Sequence, residues 1–288
     1  MFGDAADAHR KAVMTEGQSA YTWVKQERFG PPLAQSLRIS TAPSVAGWPY
    51  YHVDLNAGGG SNDLVPGAPV EGSPLNFLRA VERTGRWNVQ VFFVDNDLDK
   101  IKELIAQRAL LAFPSDRLTI HHGDNAELLP VVREVIYRRE RRPDCAMGSI
   151  LIDPNGWHGG VPWEALRAFC LEFPRFDLLL NLNVRTFRLE EAQKNIGRGK
   201  WANLVVRPPA GFRQWFNRPH WMWTEPMQIG IGSTWIQGVA RTMPTAQTGY
   251  RSLGYYDDQS ERGRAILATF DHAITGTSPQ LSLLPDVC

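Results

Sequence analysis

The stretch Asp54-Leu-Asn-Ala-Gly-Gly-Gly60 is the first place where this chain can do chemistry. An apolar run ends in an acid, and three consecutive glycines follow. Gly58 and Gly60 let backbone approach a ligand with no Cβ in the way. Four more apolar runs end in polar residues. VQVFFVDND closes with Asp95, Asn96 and Asp97, and LTIHHGDN with Asp124 and Asn125. SILIDPNGW supplies Asp153, Pro154, Asn155, Gly156 and Trp157, and DLLLNLN supplies Asn181 and Asn183. Open α/β sheets bind ligands beyond the carboxyl ends of their strands, so these ends together describe one binding edge. A carboxylate after the second strand can accept both hydroxyls of a ribose. A polar side chain after the third can hold an adenine amino group. The chain has no Gly-x-x-x-x-Gly-Lys-Ser/Thr stretch for a triphosphate and no Gly-x-Gly-x-x-Gly fingerprint. The expected ligand is an adenosine-bearing cofactor. Asp97 also reads as a helix cap, and Asp124 can be one too.

A parallel sheet is needed to bring these residues together. Tyr51–Leu55, Val89–Val94, Leu118–His121, Ser149–Ile152 and Asp177–Leu182 read as buried strands, with segments of helical period between them. Ser73 is expected to cap a helix with Pro74 in its first turn. Asp97 is expected to cap a second, with Ile101, Leu104, Ile105 and Ala109 on one face. A third runs from about Asn125 through Val135. Pro162 starts a fourth, with Trp163, Leu166, Cys170 and Phe173 on one side. This alternation implies a mostly parallel α/β sheet with helices on both faces and right-handed crossovers. Met227–Gly238 and Tyr250–Asp257 read as an antiparallel C-terminal strand pair, followed by a helix over Glu261–Ala273. Residues 58–72 are a Gly/Pro-rich insertion, and 207–226, with four prolines, read as irregular. Residues 1–45 are taken as an N-terminal extension and 46–288 as one α/β domain.

At 43% hydrophobic and 21% charged, the 288 residues suit a soluble globular protein, and a net charge of +1 gives no global attraction to a polyanion. Local charge differs. Between Arg185 and Arg218, eight basic residues face two acidic ones, a net +6. Trp201, Phe212, Trp215, Phe216, Trp221 and Trp223 are interleaved or adjacent. Basic groups with aromatics suit phosphates and stacked bases, so 185–226 reads as a substrate-binding insertion. Arg185, Arg198, Lys200, Arg213, Arg218 and Trp215 are its candidate nucleic-acid contacts. Cys145, Cys170 and Cys288 are far apart, and His121, His122 and His158 lack ligand spacing, so no metal is expected. No apolar run approaches the ~18 residues of a membrane span. The first residues lack a secretory core, and a cytoplasmic location is expected.

The pattern resembles the class I S-adenosylmethionine-dependent methyltransferases, whose Rossmann-like fold it implies. Asp54-Leu-Asn-Ala-Gly-Gly-Gly60 is similar to the Asp-x-Phe-x-Gly-x-Gly form of their first motif. More narrowly, Gly72-Ser73-Pro74-Leu75, Asp153-Pro154-Asn155-Gly156 with Trp163, and the Asp177–Asn181 strand resemble the three-Cys-motif partner family. The likeness covers about residues 50–185. It implies S-adenosylmethionine held by Asp54, Asn56, Ala57, Gly58, Gly60, Asp95, Asn96, Asp124 and Asn125, with Asp153, Asn155 and Trp157 at the acceptor. Asn56 departs from the family's Phe. The insertion also lengthens the spacing from Asp54 to Asp95. The implied activity is methyl transfer, with an exocyclic amine of a nucleic-acid base as acceptor and DNA ahead of RNA. A small-molecule or protein acceptor, or a non-catalytic nucleic-acid-binding partner with a degenerate site, are the alternatives.

Overall fold

Nine strands form one mixed sheet in the computed structural model, which describes residues 22–62, 70–86, 88–108, 113–140, 142–154, 161–183, 211–228, 234–242 and 249–275. Helix α1 (Thr22–Ile39) precedes β1 (Tyr50–Asp54). A small ribbon, β2 (Ser61–Asn62) and β3 (Val70–Glu71), lies inside the glycine-rich insertion. Then follow α2 (Ser73–Thr84), β4 (Val89–Asp95), α3 (Leu98–Arg108), β5 (Leu118–His122) and α4 (Asn125–Glu140). Next come β6 (Met147–Ile152), α5 (Trp163–Glu172) and β7 (Arg175–Asn183). The last part holds α6 (Phe212–Trp215), β8 (His220–Thr224), β9 (Met227–Gln228), β10 (Thr234–Arg241), β11 (Tyr255–Asp257) and α7 (Glu261–Thr275).

The sheet order is β5-β4-β1-β6-β7-β10-β8-β11, with β9 paired to β10. The first five strands are parallel neighbours. β10 is antiparallel to both β7 and β8, so β8 runs with the parallel set but one place further out. From β1 the chain moves outward through β4 to β5, then returns across β1 to β6 and β7. Strand order therefore reverses beside β1, where open α/β sheets leave a crevice. The fold is Rossmann-like, a mostly parallel sheet with antiparallel C-terminal strands and helices on both faces.

Helices cover both faces, which is why β1 is buried along its whole length. On one face α4, α5 and α7 pack Leu129, Ile136, Phe169 and Phe270 against Val53, Ile150 and Leu180. On the other, α1 and α2 pack Leu33, Leu37, Phe77 and Val81 against Tyr50, Val91 and Leu179. Gly148 lets β6 lie close to β1, since a Cβ there would meet the Tyr51 carbonyl oxygen at 2.0 Å. A buried polar cluster anchors α1. Ser36 Oγ donates to Asp177 Oδ2 at 2.8 Å, and Arg241 Nε donates to Asp177 Oδ1 at 2.7 Å. Helix α1, which lies within the expected N-terminal extension, is thus packed on the sheet.

The C-terminal strands differ from expectation. Met227–Gly238 is two strands, β9 and the start of β10, and Tyr250–Leu253 is a short 3-10 turn before β11. β11 pairs with β8, not β10. β8 itself lies inside the stretch read as irregular. Its sequence, HWMWT, is bounded by Pro219 and Pro226, which sit outside the paired residues, as a residue without an N–H donor must.

Candidate functional site

Asp54 ends β1 and is 0% exposed. Its Oδ1 accepts the Asn56 N–H at 3.1 Å, and its Oδ2 accepts Ser73 Oγ–H at 2.6 Å. Ser73 is therefore not the expected helix cap. Gly72 holds that position, and the Ser73 hydroxyl ties the start of α2 to the turn. The turn then pairs with β4. Ala57 N–H donates to the Val94 carbonyl at 3.0 Å, and Gly58 N–H donates to Asp95 Oδ2 at 2.7 Å. Gly58 (φ 63) and Gly60 (φ 83) are in the left-handed region that favours glycine. A Cβ on Gly60 would strike Leu104 of α3 at 2.7 Å, whereas one on Gly58 would meet nothing within 4 Å. The turn is packed beneath and open at Gly58.

Burial pushes the Asp54 carboxyl up to about 7. The Ser73 and Asn56 hydrogen bonds pull it down, and the charges of Asp153 and Asp95 raise it further. Folding thus favours the protonated form. Stability from this group is full below the ordinary 3.8 and is lost as pH rises through about 7. The span corresponds to roughly 4 kcal/mol. Thermal melts between pH 4 and 8 should show wild type losing stability across this window, while Asp54→Asn loses that dependence. Parallel curves for the two proteins would exclude it.

The neighbouring strand ends hold turns and cap helices. Asp95 Oδ1 also accepts the Asp97 N–H at 2.9 Å. Asp97 caps α3 through the Asp99 and Lys100 N–H groups at 2.9 and 3.2 Å. Asp124 caps α4, with Oδ1 accepting the Ala126 N–H at 2.7 Å. Asn96 is exposed, and its carbonyl oxygen lies 3.2 Å from His122 Nε2. Asn125 is half-buried as the first residue of α4.

Asp153 follows β6. Its N–H donates to Asn56 Oδ1 at 3.2 Å, and its Oδ1 accepts Asn181 Nδ2–H at 2.8 Å. Asp54, Asn56, Asp153 and Asn181 thereby form one hydrogen-bonded row across β1, β6 and β7. The sequence marks Asn181 as a polar residue in a leucine strand. Its partner follows only from the β6–β7 register, in which Ile152 pairs with Leu180. Among the described residues, no group of three or more His, Cys, Asp or Glu is placed to hold a metal ion. No described helix is long and apolar enough to cross a membrane.

Asn155, Trp157, Arg185, Arg198 and Lys200 lie outside the described residues. Arg213 is half-buried and donates to Asp258 Oδ1 at 2.5 Å. Trp215 is partly buried, with the Arg167 guanidinium 4.8 Å from its ring centre. Arg218 is a correction: it is 0% exposed, and its guanidinium donates to the Phe176, Cys170 and Phe173 carbonyls at 3.1, 2.9 and 2.9 Å. It serves the fold, not a phosphate. Phe212, Phe216, Trp221 and Trp223 are also core residues, with Trp221 and Trp223 stacked at 5.4 Å. They are unavailable to unpaired bases.

No family model and no curated protein matches the chain. Solved structures resemble it at low identity. The Legionella pneumophila protein LPL1258 is 12% identical, with 87% of this chain and 94% of that one covered at a TM-score of 0.48. Human methyltransferase-like protein 13, solved in complex with SAH, is 15% identical over 90% and 96% at 0.43. Magnesium protoporphyrin IX methyltransferase from Synechocystis, with bound SAH, is 11% identical over 83% and 96% at 0.41. The fold assignment rests on strand order and register, not on these values.

Proposed function

We propose that this chain is an S-adenosylmethionine-dependent methyltransferase acting on an amino group, with a nucleic-acid base as the favoured acceptor. The observation that carries the proposal is the glycine turn at the switch point, fixed to β4 through Asp95 and to the acceptor loop through Asn56. The residues present fit the cofactor. Gly58 is open where a Cβ would intrude, and Asp95, which already accepts two N–H bonds, is a carboxylate at the ribose position of such folds. The backbone of Ala57, Gly58 and Gly60 would cradle the methionine end, above the buried Asp54. Asn96, Asp124 and Asn125 would border the adenine. The narrower kinship with the three-Cys-motif partner family belongs to the same proposal, and the bond from Ser73 to Asp54 gives its Gly-Ser-Pro-Leu stretch a physical role.

When bound, S-adenosylmethionine supplies an electrophilic methyl group on a sulfonium. Asp153 then has mainly to orient. Its carboxylate accepts an N–H of the acceptor amine and aims the nitrogen lone pair, which is catalysis by positioning. The nitrogen–carbon bond would form as the carbon–sulfur bond breaks to leave a neutral thioether, and the amine proton would then pass to solvent, so a strong base is not required. Asn155 would join Asp153 in orienting the amine, and Trp157 would stack beside it. Arg185, Arg198, Lys200, Arg213 and Trp215 support a nucleic-acid partner through charge and one ring, with DNA before RNA. The burial of Phe212, Phe216, Trp221 and Trp223 favours a second reading, a small-molecule or protein amine. Incubation with methyl-labelled S-adenosylmethionine and single-stranded DNA, duplex DNA, RNA or small amines separates these readings. Label on DNA or RNA is expected. Label only on small amines or protein would overturn the nucleic-acid assignment.

A further inference from the structure

Two amide side chains hold Asp153, one from the glycine turn after β1 and one from β7. Asn181 Nδ2–H donates to the carboxylate at 2.8 Å, and Asn56 Oδ1 accepts the backbone N–H at 3.2 Å. We propose that Asn56 and Asn181 are positioning residues that clamp Asp153, so that its carboxylate meets the acceptor amine in one orientation and moves together with the cofactor turn. This inference rests on the reading of Asp153 as the acceptor-binding residue.

Three observations support it. First, Asn181 is 1% exposed between Leu180 and Leu182, and its Oδ1 has no hydrogen-bond partner. A buried acceptor left unmatched costs stability, and a leucine would avoid that cost. What asparagine adds at this position is the donor aimed at Asp153. Second, the bond goes to a carboxylate, and charge-assisted hydrogen bonds are the stronger and more orienting kind. With Oδ1 engaged by Asn181, rotation of the carboxylate would break the bond. Third, Asn56 belongs to the same turn as Gly58, and its own N–H is held by Asp54. A displacement of the turn is therefore transmitted through one side chain to the Asp153 backbone. The phenylalanine that the resembled family favours at this position has no acceptor with which to make that link.

The test uses the full chain with Asn181→Leu and Asn56→Leu. Hydrogen exchange at the Asp153 amide, followed by NMR in cofactor-free protein, should be protected in wild type and at least about tenfold faster in Asn56→Leu. Amides within β1 and β6 should be unchanged. In methyl-transfer kinetics, Asn181→Leu should lower kcat by about 10- to 100-fold, while cofactor affinity stays within about twofold. Wild-type kcat in Asn181→Leu together with wild-type exchange in Asn56→Leu would overturn the clamp. If Asn181→Leu does not fold, exchange in Asn56→Leu decides alone. If wild type transfers no methyl group to any acceptor, the proposed function fails, and the exchange comparison still decides whether Asn56 holds Asp153.

Discussion

Replacing Asp153 with alanine should lower kcat for methyl transfer by about 100- to 1000-fold, with cofactor affinity nearly unchanged. The direction follows from where the residue sits. Asp153 is beyond the end of β6, one strand from the glycine turn, and touches that turn through its backbone N–H rather than its side chain. Truncating the side chain removes the amine acceptor and leaves Asn181 Nδ2 without its carboxylate, but keeps the bond to Asn56. Asp153→Asn retains one carbonyl oxygen and should lose less, about tenfold. Steady-state kinetics with a labelled methyl group, beside a cofactor titration, measures both effects. Unchanged kcat in Asp153→Ala would remove this residue from the acceptor site.

Arg218→Met should lower the melting temperature by about 10 °C and leave nucleic-acid affinity unaltered in the folded protein. Phe173 is the C-cap of α5, and the Arg218 guanidinium satisfies carbonyls of that last turn together with the one at Phe176. A cation suits a helix C-terminus, where carbonyls lack intrahelical partners. Burial lowers the guanidinium's affinity for its proton, yet its carbonyl partners keep it satisfied. Removing it takes a donor from three buried carbonyls, of which Phe173 keeps only the 3.4 Å bond from the Phe176 N–H, and costs about 3–5 kcal/mol. Calorimetric melts and a salt-dependent binding assay separate the outcomes. A variant with wild-type stability and weakened nucleic-acid binding would restore Arg218 to the substrate interface.

The strand ends were legible because parallel strands buried on both faces read as continuous apolar runs, and the polar residues that close them stand out. Asp54, Asp95, Asp124 and Asp153 stand at those strand ends, and the β-α alternation matches the parallel half of the sheet. What escaped depends on contacts distant in sequence. Arg218 looks like a surface cation beside aromatics, and only the return of Cys170, Phe173 and Phe176 to its side makes it a buried cap. β8 was masked by flanking prolines, which exclude pairing at their own positions but not between them. The place of β11 beside β8 depends on β10 lying between β7 and β8. Ser73 carried a cap-like signal, but a buried carboxylate on β1 is the stronger partner for its hydroxyl. Asn181 was visible as a polar strand residue, while its bond to Asp153 needed the register.

Isothermal titration of the wild-type chain with S-adenosylmethionine, alongside Asp95→Ala, tests the cofactor site most directly. One-to-one binding by wild type is expected, weakened about 100-fold in the variant by the loss of the carboxylate bonds to the ribose. No binding by wild type, with or without nucleic acid present, would contradict the assignment and leave the three glycines as a turn that serves only the fold.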